Sequence, residues 1–484
     1  MPSKDAPSHV AEEVYPVHTL DGIETNRNYV NWMMRFNDVL DAPKLNSALS
    51  RVLEIGDWRK MGGRLRYKTD GQPEIYVPRS SVTEQNVFFT HDTFEMTIQA
   101  HPVAHRFPKG TDGPSVQPIT KDFRPFIARK EFPTFEQLVE QKLPLISLHI
   151  TSFSDATLVA IMWPHVLMDV MGGQALLIGW TSVLNGREED VPAVLGARED
   201  ILRHPEISQP GEKTEALKLE KTRLTGLGLL IFQLRFLWDN LWNPSRQRSV
   251  IFLPKSAVEK IRLQVQKDLE NSHGPDSPPF VSEADILIAW ATRVIASSES
   301  KSRPFTVMSL LNMRFRIPLL LTSRGAYIQN MVLGTYTFLS AQAARASVGS
   351  IALSHRAHVA EQATEQQTLS LLRQVFRDLE ARRSLQLFFG DPHMIPIVVN
   401  NVFKADLMKI ANFGAAVSRQ GEAMNTRKNP LGTMVGYYNE TLDGAFNSIN
   451  IFLMLGKDYG DNYWFMGSLF PQAWSKIEEE LGRI

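Results

Sequence analysis

The sharpest pattern along the chain is an apolar run from Ala156 to Trp163 that includes Val159 and Ile161. A short unbroken run of this kind predicts a buried strand. Pro164 ends it, because proline has no N–H to give to a ladder. A preceding strand is predicted over Leu143–Phe153, with the chain turning back near Ser154 and Asp155. Past the proline, Gly172 and Gly173 open an apolar segment of helical character.

The rest of the chain alternates. Leu45, Leu49, Val52 and Leu53 fall at helical spacing within Asp41–Leu53, with Pro43 near the start. Asp70-Gly71 between the alternating runs Arg64–Lys68 and Glu74–Val77 predicts a hairpin. Proline and glycine recur from Pro102 to Pro133, which predicts irregular structure. The polar, proline-punctuated stretch Asn185–Pro210 reads as a surface crossing. Further on come a strand over Ser249–Leu253, a helix over Ser256–Leu269 and a loop over 271–279, NSHGPDSPP. Ser282 is placed to cap a helix that carries Leu287, Trp290 and Val294. Strands are predicted over Thr306–Asn312, Ile395–Val399, Ser448–Leu455 and Tyr463–Leu469, and Ala341–Leu385 is largely helical. The pattern is α/β, in two mixed halves. At 484 residues the chain also exceeds the usual reach of one core. The expected division is 1–195, a crossover with an apolar helix over 196–247, and 248–484.

Composition narrows the chemistry. Lys plus Arg equals Asp plus Glu, at 52 each, so no global field attracts nucleic acid or an anionic membrane. There is no cysteine, which excludes disulfides, thiolate metal sites and a thiol nucleophile. The first twenty residues contain no apolar stretch of signal-peptide length, so a cytoplasmic protein is expected. Leu224–Trp242 is the most apolar long segment, but Gln233, Arg235, Asp239 and Asn240 interrupt it. A packed or amphipathic helix is expected there, not a spanning one, with membrane-surface association as the lesser alternative; its aromatic residues Phe232, Phe236, Trp238 and Trp242 read as core, or as the wall of an acceptor pocket.

His165 follows Pro164 directly and should sit at the mouth of the strand, with Asp169 four residues on. A lone histidine there has two readings, a satisfied core residue or a catalyst delivered to the end of a buried strand. A positioned imidazole can take the proton of an attacking alcohol, whose own pKa lies far above 7.

Five stretches in order make the chain resemble the BAHD-type acyltransferases, and most closely their fungal branch, which includes trichothecene O-acetyltransferases. HVLMD at 165–169 matches the family's His-x-x-x-Asp. The segment Leu45–Leu65, with Gly62-Gly63-Arg64-Leu65, matches its opening helix and first strand. SEADILIAWATR at 282–293, NMRFRIP at 312–318 and NFGAA at 412–416 match a helix, an Arg-rich strand end and the Asp-Phe-Gly-Trp-Gly block. The block departs from the family at Asn412 and Ala415.

The resemblance implies two chloramphenicol-acetyltransferase-like domains, each a mixed sheet flanked by helices, with the active site at their interface. It implies acyl-CoA, most simply acetyl-CoA, as co-substrate. The acceptor would be a hydroxyl of a small apolar fungal terpenoid or polyketide. It also implies His165 as general base, no acyl-enzyme, no metal and a monomer. Asp169 would turn from the histidine to pair with Arg314. Asn401 falls where some members supply an oxyanion donor, although Asn400 and Asn401 equally suit a strand end. Phe403 falls where plant members carry a site-lining tryptophan, and Ser282 and Arg262 fall near positions used for the pantetheine-phosphate end.

Two other readings stay open. A condensation domain shares this fold, but its second histidine and its glycine are replaced here by Pro164 and Val170. A relative that binds ligand without turnover is the other. The pairs His101/His105 and His355/His358 have metal-like spacing, but solvated surface histidines are the expectation.

Overall fold

The structure, a computed structural model, describes residues 13–77, 85–127, 133–209, 211, 215–243, 245–274, 278–321, 324–381, 388–441 and 448–484. The apolar run is a strand, Thr157–Pro164, with every residue buried. It lies between Tyr29–Phe36 and Ile146–Ser152, antiparallel to both. A strand covered on both faces has no polar side to show, which is why its sequence does not alternate. Among the described residues the order of this five-stranded sheet is Met434–Thr441, Tyr29–Phe36, Thr157–Pro164, Ile146–Ser152, Val87–Thr93.

The helix Ala42–Val52 forms as expected, with Asp41 accepting the Lys44 N–H at 2.9 Å. It packs on the helix Val170–Leu184, where the Trp180 indole donates to the Leu45 carbonyl at 2.9 Å. The glycine pair explains how closely that second helix starts against the sheet. A Cβ on Gly172 would stand 2.7 Å from the Ile328 carbonyl oxygen, and one on Gly173 would enter the Trp32 ring.

The second sheet has seven strands among the described residues. Their order is Val332–Leu339, Phe305–Asn312, Ile395–Asn401, Asn450–Lys457, Tyr463–Leu469, Gln247–Leu253, Ser115–Pro118. It is mixed, with the central Ile395–Asn401 strand parallel to both neighbours. The helices Lys255–His273, Glu283–Ser298, Val348–Gln362 and Pro471–Leu481 supply most of the core on one face of it. Ser282 caps the second of these in a full capping box with Asp285.

The two sheets exchange strands. Ser115–Pro118, from the stretch expected to be irregular, forms the edge of the seven-stranded sheet by pairing with Gln247–Leu253. Met434–Thr441 returns to the five-stranded sheet beside Tyr29–Phe36. Val417–Gln420 pairs with Asp38–Leu40. The buried Asp38–Arg427 ion pair, at 2.8 Å, fastens the same crossing.

Two expectations need correction. The helix Lys255–His273 runs through Asn271–His273, into the predicted loop, and stops at Gly274 with φ +88°. Residues 275–277 of that loop lie outside the described residues, as do 382–387 at the end of the predicted helical stretch. The segment Gly226–Trp242 is one helix, but only Phe232 of its aromatics is buried. No helix among the described residues is long and apolar enough to cross a membrane.

Candidate active site

His165 stands at the mouth of its strand. Its N–H donates to the Asn28 carbonyl at 2.7 Å. Its own carbonyl accepts from Asn330 Nδ2 at 2.9 Å. The backbone is therefore fixed from both sides while the ring stays half-buried. The ring's Nδ1 is buried and has no hydrogen-bond partner among the described residues.

The ring faces a cavity of about 350 Å³ between the two sheets. From the five-stranded side Trp32, Trp163, Tyr437 and Asn439 line it. Met308, Val398, Asn400 and Leu453 line it from the seven-stranded side. Trp32 and Trp163 meet edge to face at 4.8 Å, and the Trp163 indole donates to the Met168 carbonyl, so this wall is rigid. The Tyr437 hydroxyl is used up on the Leu455 carbonyl, while Asn439 Oδ1 is buried without a partner among the described residues. A largely apolar chamber with a few polar groups is the usual form of a small-molecule site.

Asp169 does not bond to His165. Its carboxylate takes five hydrogen bonds elsewhere. Oδ1 accepts from the Met171 and Gly172 N–H groups and so caps the helix Val170–Leu184. Arg314 donates to Oδ2 at 2.7 Å and to Oδ1 at 3.1 Å, and the Met331 N–H donates to Oδ2 at 3.1 Å. The same guanidinium also donates to the Tyr327 and Gln329 carbonyls, at 2.8 and 2.6 Å.

Asn330 sits inside the segment that Arg314 holds, and no sequence motif marks it. Its amide bridges the His165 carbonyl and Asp21 Oδ1, and its N–H reaches the same oxygen at 2.8 Å. Burial pushes the Asp21 carboxyl up, but His18 and Lys60 beside it more than offset this and hold it below the usual range. Asp21 thus remains a carboxylate, accepting both Asn330 bonds at Oδ1, with the His18 ring 3.5 Å from Oδ2.

The remaining predicted positions are moved by strand geometry. Side chains alternate along Ile395–Asn401, and Val398 and Asn400 face the cavity. Asn401 points the other way, is exposed, and spends its Oδ1 on the Phe403 N–H at 3.0 Å. Phe403 likewise leaves the cavity wall and packs on Tyr463 and Phe465. The Ser282 hydroxyl is engaged with Asp285 at 2.6 Å, and Arg262 is exposed on its helix. In the 412–416 block, Phe413 is fully buried against Phe36 and Trp180.

One histidine of each pair is buried, contrary to expectation. His101 is buried and its Nδ1 accepts from the Val103 and Ala104 N–H groups. His355 is buried and bonded to Thr337 at 2.8 Å. Among the described residues no group of three His, Cys, Asp or Glu is placed to hold a metal ion.

No family profile matches the chain. Its fold matches the crystal structure of F. graminearum TRI101 with coenzyme A and deoxynivalenol, at a TM-score of 0.68, 15% identity and 98% coverage of both chains. The chain shares that fold, with its own cavity between the two sheets. The acetyltransferase pyiB of Pyricularia grisea is 32% identical over 474 residues, covering 97% of this chain and 93% of that protein. The O-acetyltransferase PaAT-2 of Phomopsis amygdali is 31% identical, covering 98% of each. The chain belongs to the fungal branch of the BAHD-type, acyl-CoA-dependent acyltransferases.

Proposed function

We propose that the chain transfers an acetyl group from acetyl-CoA to a hydroxyl of a small apolar terpenoid or polyketide. The observation that carries this reading is the half-buried His165 ring opening on a mostly apolar cavity between the two sheets. In the reaction His165 accepts the alcohol proton as the oxygen attacks the thioester carbonyl. The tetrahedral oxyanion needs a fixed donor; Asn400 in that part is supported by its place in the cavity lining, while Asn401, the position first expected, is exposed. Collapse breaks the C–S bond, and the imidazolium returns its proton to the CoA thiolate. The chain then ends with ester, free CoA and neutral histidine, without an acyl-enzyme.

Asp169 and Arg314 serve as positioning residues in this scheme. Ser282 and Arg262 are kept as candidates for the pantetheine-phosphate end of CoA. We also propose that the protein is a cytoplasmic monomer and that its halves divide at 195 and 248, with the exchanged strands crossing that line.

The test is free-CoA release from acetyl-CoA with a panel of terpenoid and polyketide alcohols, wild type beside His165→Ala, with mass spectrometry for the added acetyl group. Release that requires both an alcohol and His165 supports the reading. Equal turnover by His165→Ala would remove it.

A further inference from the structure

The Gly226–Trp242 helix is turned inside out. Two of its polar side chains, Asp239 and Asn240, face the protein. Asp239 receives Arg303 Nη1 at 2.6 Å, and Asn240 Oδ1 receives Arg246 Nη1 at 2.6 Å. The helix rests on Leu224, Met394 and Phe388, and buries only Phe232. Outward it shows Leu227, Leu230, Leu234, Leu237 and Leu241, each at least half exposed. Trp238 and Trp242 extend that face at its C-terminal end, stacked at 4.9 Å, with Trp242 76% exposed. At ~100° per residue these positions cover roughly 140° of the helix without one charged group. The residue at the arc's edge is a cation, Arg235, 39% exposed. Patches of this size on a monomer mark an interaction site.

Three features favour a lipid surface over a protein partner. A helix seam that selects a protein carries flanking charges to set register, and this arc has none inside it. Indole rings at one end of an apolar face suit the boundary between hydrocarbon and headgroups. The charge beside the helix is also complementary to phosphate. At Asn240 it borders a groove of about 870 Å³ lined by Lys121, Arg124, Arg246 and Arg248 against Glu440 and Glu478. That is a local excess of cations in a chain whose formal charges balance overall.

We propose that this helix lays the protein flat on a phospholipid surface, with the leucines and tryptophans in the acyl boundary and headgroup phosphates at the cationic groove. Met394, beneath the helix, directly precedes the Ile395–Asn401 strand, whose Val398 and Asn400 line the cavity. Docking therefore sets the cavity one strand away from a bilayer in which an apolar acceptor dissolves. This last point rests on the acyl-transfer reading; docking itself does not.

The experiment sediments the full chain with phosphatidylcholine vesicles, with and without phosphatidylserine, in the absence of acetyl-CoA and acceptor. The wild type is expected to pellet with vesicles, more strongly with phosphatidylserine at low salt. Leu234→Glu/Leu237→Glu is expected to weaken binding about tenfold or more. Trp238→Ser/Trp242→Ser, a second variant, is expected to weaken it as well, with thermal melts of both unchanged because these side chains are exposed. Wild type left in the supernatant at roughly 1 mM lipid overturns docking. So does a dimer by light scattering that Leu234→Glu/Leu237→Glu dissociates while vesicles bind nothing, since the face then belongs to a second copy. A protein that docks without acetylating any alcohol fails the functional reading alone.

Discussion

Arg314 grips Asp169 at 2.7 and 3.1 Å, and both residues are buried, at 8% and 3% exposure. Asp169 belongs to the loop that carries His165, and Arg314 comes from the end of the opposite sheet's Phe305–Asn312 strand. The pair is a latch between the halves, and it consumes the carboxylate that a catalytic triad would have needed.

Arg314→Ala leaves that carboxylate buried without its counter-charge. A loss of about 3–5 kcal/mol is expected in urea unfolding. Asp169→Asn keeps a good helix cap and should cost less. Its pH–rate profile should keep the wild-type shape, because the base is elsewhere. A shifted profile would indicate that Asp169 couples to His165.

His165→Ala should lower kcat/KM by about 10² to 10⁴. CoA binding, measured by calorimetry, and the melting temperature should stay at wild-type values, because no side-chain hydrogen bond of the ring supports the fold.

Asn400 and Asn401 separate cleanly. Asn400→Ala should reduce kcat by about 10² to 10³ if its amide steadies the oxyanion. Asn401→Ala should stay near wild type, since that side chain only caps a turn at the surface. The reverse ranking would return the donor to Asn401.

Asn330→Ala removes the amide between Asp21 and the His165 carbonyl. A cost of about 1–3 kcal/mol in stability is expected, because buried partners lose their bonds. The kcat should drop while the KM for acetyl-CoA changes little. An unchanged kcat would mean that the Asn28 carbonyl alone holds the histidine.

Burial pushes the His355 imidazole down to about 4 from its ordinary 6.5. Protonation between those values favours the unfolded chain. The full contribution is present above about pH 6.5 and is lost as pH falls towards 4. Thermal melts across that range should show the decline, with a shallower slope for His355→Gln. Buried His149 adds in the same direction, so some slope should remain.

The local features were legible because local chemistry made them. The Thr157–Pro164 strand, the Asp70-Gly71 hairpin and the Ser282 capping box each follow from a few neighbouring residues. Position within an element was legible only in part. Asn400 and Asn401 differ by one residue, and only the register of a strand fixed by its neighbours says which of them faces the cavity. Asn330 left no trace in the pattern because its function lies in two partners, Asp21 and His165, that are 309 and 165 residues away. The apolar helix misled for a different reason. Its period says that one face is apolar, but the direction of that face is set by Arg303 and Arg246, which draw Asp239 and Asn240 inward.

The strand from Met434 to Thr441 seals the edge of a sheet whose next member begins at Tyr29. A ribosome must therefore finish about nine-tenths of this chain before its first half can close. Until then Tyr29–Phe36 is an open, apolar edge, the kind of surface that recruits strands from other chains. The nascent protein depends on speed or on a chaperone through that interval. Any truncation that omits the last fifty residues or so leaves the half that carries His165 intact in sequence but forfeits its Met434–Thr441 edge together with the neighbouring sheet's Asn450–Lys457 and Tyr463–Leu469 strands. Splitting the gene at the crossover would produce two fragments that each lack an edge held by the other.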